Sequence, residues 1–170
     1  MTNRPLAGAL GAEIEGVDLS RPLTDDAFAE VHRALVDFGM ICLREQRLTH
    51  AQQVAFARRF GELDVHPIVK GTDEIPELVR VLKPAGESAS FGVGWHSDNS
   101  FFPEPSLGSV LYGVTIPPYG GDTLYASMER AYEALSEPMK SFLAPLVAVH
   151  SASRAYDPRV TGDQKYRGEA

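Results

Sequence analysis

From Gly61 onward Pro67, Pro76, Pro84, Pro103, Pro105, Pro117 and Pro118 are interleaved with glycines and short apolar runs. Proline lacks the backbone donor and clashes with the preceding helical turn, so no long helix fits across this stretch. The middle of the chain is therefore expected to be β-rich. Strands are expected over 78–82, 109–115 and 122–125, separated by turn chemistry such as Pro118-Tyr119-Gly120-Gly121. Before Gly61 the texture reverses. Phe28, Val31, Leu35 and Phe38 recur on one face, with Thr24 placed to cap and Gly39 to stop a helix over 25–38. Met40 to Leu43 reads as a buried strand. Thr49-His50-Ala51-Gln52 reads as a capping box opening a second helix whose face is Val54, Ala57 and Phe60, and which ends near Phe60. Toward the end, Ser127 and Ser136 can cap short helices over 128–135 and 137–143, and 146–149 reads as one more strand. Residues 151–170 are polar and aperiodic, which predicts a loop or disordered tail. The order describes one α+β domain built around a β-sandwich or barrel. Four or five strands do not easily close a barrel, so an edge is left to be covered.

Composition limits what such a domain does. A chain of 170 residues holds one ordinary core and buries roughly two thirds of its unfolded surface. With 44% hydrophobic and 23% charged residues it is a globular composition, and no segment approaches the roughly 18 apolar residues of a membrane span. The N-terminus lacks a basic start followed by an apolar run, so the expected location is the cytoplasm. A net charge of −7, without a basic stripe, argues against nucleic acid and for small-molecule chemistry. Cys42, the one cysteine, excludes an internal disulfide or a multi-thiolate metal site and is expected to be a buried small hydrophobe.

Five histidines remain as chemistry-bearing candidates: His32, His50, His66, His96 and His150. His32 lies off the apolar face of its helix and His50 follows a cap, so both are expected in solvent. His96 and Asp98 are separated by one residue, which on an extended segment projects an imidazole and a carboxylate from the same face. That mixture suits a divalent transition metal and, with a second histidine, leaves positions open for reactants. Taken alone, His-x-Asp is common and more often a hydrogen-bonded pair in a turn than a metal site.

The surroundings add a resemblance. Gly92-Val93-Gly94-Trp95-His96-Ser97-Asp98, then Ser100-Phe101-Phe102 and Pro105, then Pro117-Pro118-Tyr119-Gly120-Gly121-Asp122-Thr123 resemble the TauD/TfdA (taurine/2,4-D dioxygenase) family. Gly11-Ala12-Glu13-Ile14 with Gly16-Val17-Asp18-Leu19, Arg59-Phe60-Gly61-Glu62-Leu63 and His66-Pro67 are similar to that family in the same order. The resemblance covers roughly 8–150. It implies a double-stranded β-helix (jelly-roll, cupin-like) core with flanking N-terminal helices. It also implies Fe(II), 2-oxoglutarate as cosubstrate, O2 and hydroxylation of a small organic acid.

By the same resemblance His96 and Asp98 match the first two iron ligands, and Thr123 matches a position that binds 2-oxoglutarate, where a hydroxyl can donate to a carboxylate oxygen. His66 matches a histidine that approaches the anionic group of sulfonate substrates, and it fits equally well a loop histidine held before Pro67. Asn99 falls where the family lines the substrate pocket. Trp95 is expected to pack as an anchor for the ligand segment, and Phe101 and Phe102 as core. The implied substrate is an alkylsulfonate such as taurine or a sulfate ester, with release of sulfite or sulfate, succinate and CO2.

The chain departs from the family pattern in lacking the distal-ligand motif. His150, in Val147-Ala148-Val149-His150-Ser151-Ala152, resembles a strand rather than that motif, and neither Arg154 nor Arg159 matches the cosubstrate arginine. These 170 residues therefore read as the N-terminal portion of one catalytic domain with an incomplete barrel. The rival reading is a truncated or non-catalytic β-barrel binding module of the same fold. The expected partner is a small anionic substrate, not nucleic acid or membrane, and a homo-oligomer is left open.

Overall fold

A computed structural model of the chain describes residues 1–66, 69–83 and 94–151. They fall into two compact units, one formed by Met1–Gly61 with Val110–Val147, the other by Glu62–Ser109 with the chain from Ala148 on. Among the described residues the regular elements are β1 (Thr2–Pro5), β2 (Ala12–Glu15), α1 (Asp25–Phe38), β3 (Ile41–Cys42), α2 (His50–Ala57), α3 (Met128–Glu133) and α4 (Glu137–Leu143).

Helix α1 has the expected bounds because both of its ends are chemically specified. Thr24 Oγ1 accepts from the Ala27 N–H at 3.3 Å, Asp25 and Asp26 sit in the first turn at the positive end of the helix dipole, and Gly39 closes the last turn at φ +69°. Its N–H donates to the Leu35 carbonyl at 2.8 Å. The Thr49–Gln52 capping box opens α2 as expected. That helix stops at Ala57, three residues short of the expected end, because the next N–H groups of Arg59 and Phe60 bond only three residues back, to Phe56 and Ala57. Ser127 and Ser136 do cap α3 and α4.

The expected elements begin at Asp25, yet two strands precede it. β2 is the centre of a three-stranded sheet, paired antiparallel with β1 (Asn3 opposite Ile14) and parallel with β3 (Ala12 opposite Ile41). Ala12, Glu13 and Ile14 are all buried, so β2 lacks the alternation that marks a half-exposed strand. α1 and α2 bring Val31, Ala34 and Phe56 together with Ile14 and Leu19, and Phe28, Phe38, Ile41 and Phe60 pack around them. Cys42 is only half-buried. His32 and His50 are exposed as expected, although the His32 ring also lies against Phe28 and Phe60 at 6.0 Å.

Glu13 is the one buried charge among the described residues. Its Oε2 accepts from Arg4 Nη2 at 2.5 Å and from Arg44 Nε at 2.9 Å, so the residue flanked by both edge strands is neutralised from two sides. The hydrogen bond from Arg44, then the charge of Arg4, hold its carboxyl below the ordinary glutamate value.

The expected strands over 78–82, 109–115, 122–125 and 146–149 do not form. A strand exists only where a neighbour takes its backbone hydrogen bonds, and no described residue pairs with these segments. Residues 152–170, where a tail is expected, and Arg154 and Arg159 lie outside the described residues.

Candidate metal centre

The ligand candidates lie on the irregular segment after Gly94, just before a turn that starts at Asp98. His96 Nδ1 is 2.7 Å from the Gly94 carbonyl oxygen. A carbonyl only accepts, so Nδ1 carries the hydrogen and donates. The other ring nitrogen, Nε2, faces Asp98 Oδ1 at 3.1 Å. In the neutral imidazole this sets a lone pair against a carboxylate oxygen, two acceptors that repel unless a cation lies between them. A proton or a metal ion serves. Two donors held at right angles about 2.1 Å from one ion are separated by about 3 Å, so the observed spacing suits a shared metal. The Gly94 carbonyl meanwhile favours the tautomer whose Nε2 lone pair could take a cation, the usual arrangement for a metal-ligating histidine.

Among the described residues no third His, Cys, Asp or Glu joins this pair. His150 is occupied otherwise, with Nδ1 3.0 Å from Ser100 Oγ. The expected packing roles of the neighbouring aromatics do not hold. Trp95 is 72% exposed, and the Phe101 and Phe102 rings lie against each other, tilted by 44° with centroids 4.5 Å apart, while remaining partly open to solvent.

Asn99 and His66 belong to the same unit as the pair. Asn99 Nδ2 donates to Ser106 Oγ at 3.1 Å, so its amide is committed within the protein. His66 Nδ1 accepts from the Val69 N–H at 2.9 Å, which leaves the proton of a neutral ring on Nε2. The ring borders a cavity of about 370 Å³ lined also by Val65, Lys70, Thr72 and Pro76. Gly71, on the same wall, is required: a Cβ there would lie 2.0 Å from the Pro76 carbonyl oxygen. Lys70 is paired with Asp73 at 2.6 Å, which raises the lysine pKa and lowers that of the aspartate.

Thr123 belongs to the other unit. Gly120 and Gly121, at φ +76° and +73°, turn the backbone in a way few other residues tolerate, and Thr123 follows on an exposed segment. Nothing in the sequence pointed to the Gly94 carbonyl, Asp64 or Ser106. Hydrogen-bond partners 42 residues apart, as Asp64 and Ser106 are, leave no local pattern.

A histidine and a carboxylate 3.1 Å apart could share a cation, which makes this pair a candidate metal site. The chain belongs to the family described as Taurine catabolism dioxygenase TauD, TfdA family, which it matches over residues 2–169. It is 37% identical over 154 residues to an alkylsulfatase of Acinetobacter baylyi, covering 90% of this chain and 48% of that protein. It is 36% identical over 153 residues to an alpha-ketoglutarate-dependent sulfate ester dioxygenase of Pseudomonas putida, covering 89% of this chain and 50% of that one. The solved taurine dioxygenase of Burkholderia xenovorans superposes with a TM-score of 0.73 at 40% identity, over 85% of this chain and 51% of that structure. The chain thus spans about half the length of these relatives. No helix among the described residues is long and apolar enough to cross a membrane.

Proposed function

We propose that the protein is an Fe(II)- and 2-oxoglutarate-dependent dioxygenase acting in the cytoplasm on a small anionic substrate, an alkylsulfonate such as taurine or a sulfate ester. In this reading the 170 residues supply the N-terminal part of a jelly-roll catalytic domain and two of its three protein ligands. The observation that carries the proposal is the facing pair of acceptors, His96 Nε2 and Asp98 Oδ1, 3.1 Å apart and backed by the Gly94 carbonyl. Membership of the family and the names of its relatives support the reaction type.

Fe(II) with 2-oxoglutarate and O2, when bound, supplies the oxidation that hydroxylates a substrate C–H bond as the cosubstrate leaves as succinate and CO2. The chain's own residues bind and orient. His96 and Asp98 hold the metal through Nε2 and a carboxylate oxygen, with Nδ1–H anchored so that the ring does not turn away. Thr123 donates its hydroxyl to a carboxylate oxygen of 2-oxoglutarate. His66, with its Nδ1 already accepting from Val69, directs an Nε2–H donor at the substrate's anionic group. Hydroxylation at the carbon bearing a sulfonate or sulfate ester gives a product that breaks down to an aldehyde with release of sulfite or sulfate.

Anaerobic addition of Fe(II) and 2-oxoglutarate to the full-length protein is expected to produce a visible charge-transfer band that His96→Ala abolishes. Absence of the band in the unaltered protein would defeat the dioxygenase proposal. With O2 present, assays of sulfite and sulfate release from taurine, longer alkylsulfonates and alkyl sulfate esters separate the substrate classes. Turnover of an aryloxy acid alone would move the substrate assignment away from sulfur compounds.

A further inference from the structure

The turn that carries Asp98 is held from outside by groups to which the dioxygenase reading gives no task. Asn99, directly after Asp98, has φ +54°, and only Glu45 among the other described non-glycine residues has a positive φ. Asparagine tolerates this left-handed region better than most residues, but it still needs support. Its carbonyl accepts from the Phe102 N–H at 3.0 Å, which closes the turn. Its Nδ2 donates to Ser106 Oγ at 3.1 Å, and Ser106 Oγ lies 2.5 Å from Asp64 Oδ2. The directions are forced. An amide nitrogen only donates, so the serine oxygen accepts, and its one proton goes to the carboxylate, which only accepts. A second tether runs from the next residue, Ser100, to His150.

We propose that Asp64, Ser106 and Asn99 form a positioning relay. It pins the left-handed residue beside Asp98 and so fixes where the Asp98 carboxylate stands relative to His96 Nε2. The relay rests on the proposal that these two residues hold a metal. None of its three members touches the metal. Asp64 acts as the anchor: its carboxylate oxygen accepts the serine proton, which leaves the serine oxygen to receive the asparagine amide. The relay spans 42 positions between Asp64 and Ser106, so it ties the ligand turn to the segment that leads into His66.

The test is Co(II) titration of the full chain, followed by the visible absorbance of the bound ion. Ser106→Ala removes the middle of the relay without altering either backbone. It is expected to weaken Co(II) binding by about 10–100-fold, the usual effect of losing a group that orients a ligand. The melting midpoint should stay near that of the unaltered protein, and Ser106→Thr, which restores a hydroxyl, should restore the affinity. Asn99→Gly keeps the left-handed backbone without the amide and is expected to weaken binding to a similar degree; it decides the matter if Ser106→Ala does not fold. Unaltered Co(II) affinity in either folded variant would overturn the relay while leaving the metal site standing. No Co(II) binding by the unaltered protein, or binding that survives His96→Ala, would overturn the metal site and the relay with it.

Discussion

Residues 12–60 and residues 107–149 are both rich in apolar side chains, yet they treat them in opposite ways. In the first stretch Val31 is 0% and Ala34 1% exposed, wrapped by two capped helices and a three-stranded sheet. In the second, Val114, Val147 and Val149 are 80%, 87% and 92% exposed, and α3 and α4 bury no residue. Polar tethers run from 110–147 to the N-terminal residues. Tyr112 Oη donates to the Gln46 carbonyl and accepts from the Leu48 N–H, Gln53 reaches the Val110 carbonyl, and Arg130 reaches that of Gly8. Helices assemble from signals a few residues apart, whereas strands need a partner, and no described residue supplies one to the second stretch.

The sharpest way to break this contrast is to place one charge in each stretch. Val31→Asp puts a carboxylate where solvent is excluded and no cation waits, at a cost of about 4 kcal/mol or more. That removes much of the roughly 5–15 kcal/mol that holds a domain together, so urea denaturation should show a collapsed or missing transition. Val147→Asp, at an exposed position, should shift stability by no more than about 0.5 kcal/mol. A comparable loss from Val147→Asp would mean that Val147 is buried in solution, and the contrast would fail.

The same division explains what was legible in the sequence. Thr24 and Gly39 bound α1 by themselves, and Thr49 with Gln52 opened α2, because a cap is read within four residues. β1 and β2 were hidden, since the burial of Ala12, Glu13 and Ile14 comes from neighbours on both edges and from the helices above. The strands expected over 109–115 and 146–149 rested on apolar content, which signals burial but does not provide a partner. Within the candidate site, the spacing of His96 and Asp98 was visible because the two are only two positions apart. Tautomer control by the Gly94 carbonyl was not visible because it depends on the local turn of the backbone, and the Asp64–Ser106–Asn99 chain was not because it joins residues as far as 42 positions apart.

Helix caps sharpen the comparison at a smaller scale. Thr24→Ala removes the acceptor for Ala27 N–H from a helix that carries Val31 into the core, and global stability should fall by about 1 kcal/mol. Ser127→Ala removes the equivalent bond to Arg130 N–H from a six-residue helix with no buried residue. A helix that short and unpacked opens locally, so this loss should appear as faster amide exchange over 128–133 with an unchanged global transition. Equal losses of global stability from the two caps would show that α3 is coupled to the core.

The smallest effect belongs to Glu13, where the comparison becomes one of pH. Folding lowers the Glu13 pKa, first through the hydrogen bond from Arg44 and then through the charge of Arg4, below an ordinary value of 4.5. A group whose pKa is lowered by folding contributes its stability above the unfolded pKa and loses it as pH falls through the folded one. Wild-type protein should therefore exceed Glu13→Gln in stability at neutral pH by a margin that holds down to about pH 4.5 and then narrows toward acid. Urea midpoints of the two proteins across this range measure that margin. A margin independent of pH would show that the neutral amide satisfies Arg4 and Arg44 as well as the carboxylate does, and that packing rather than charge keeps β2 at the centre of its sheet.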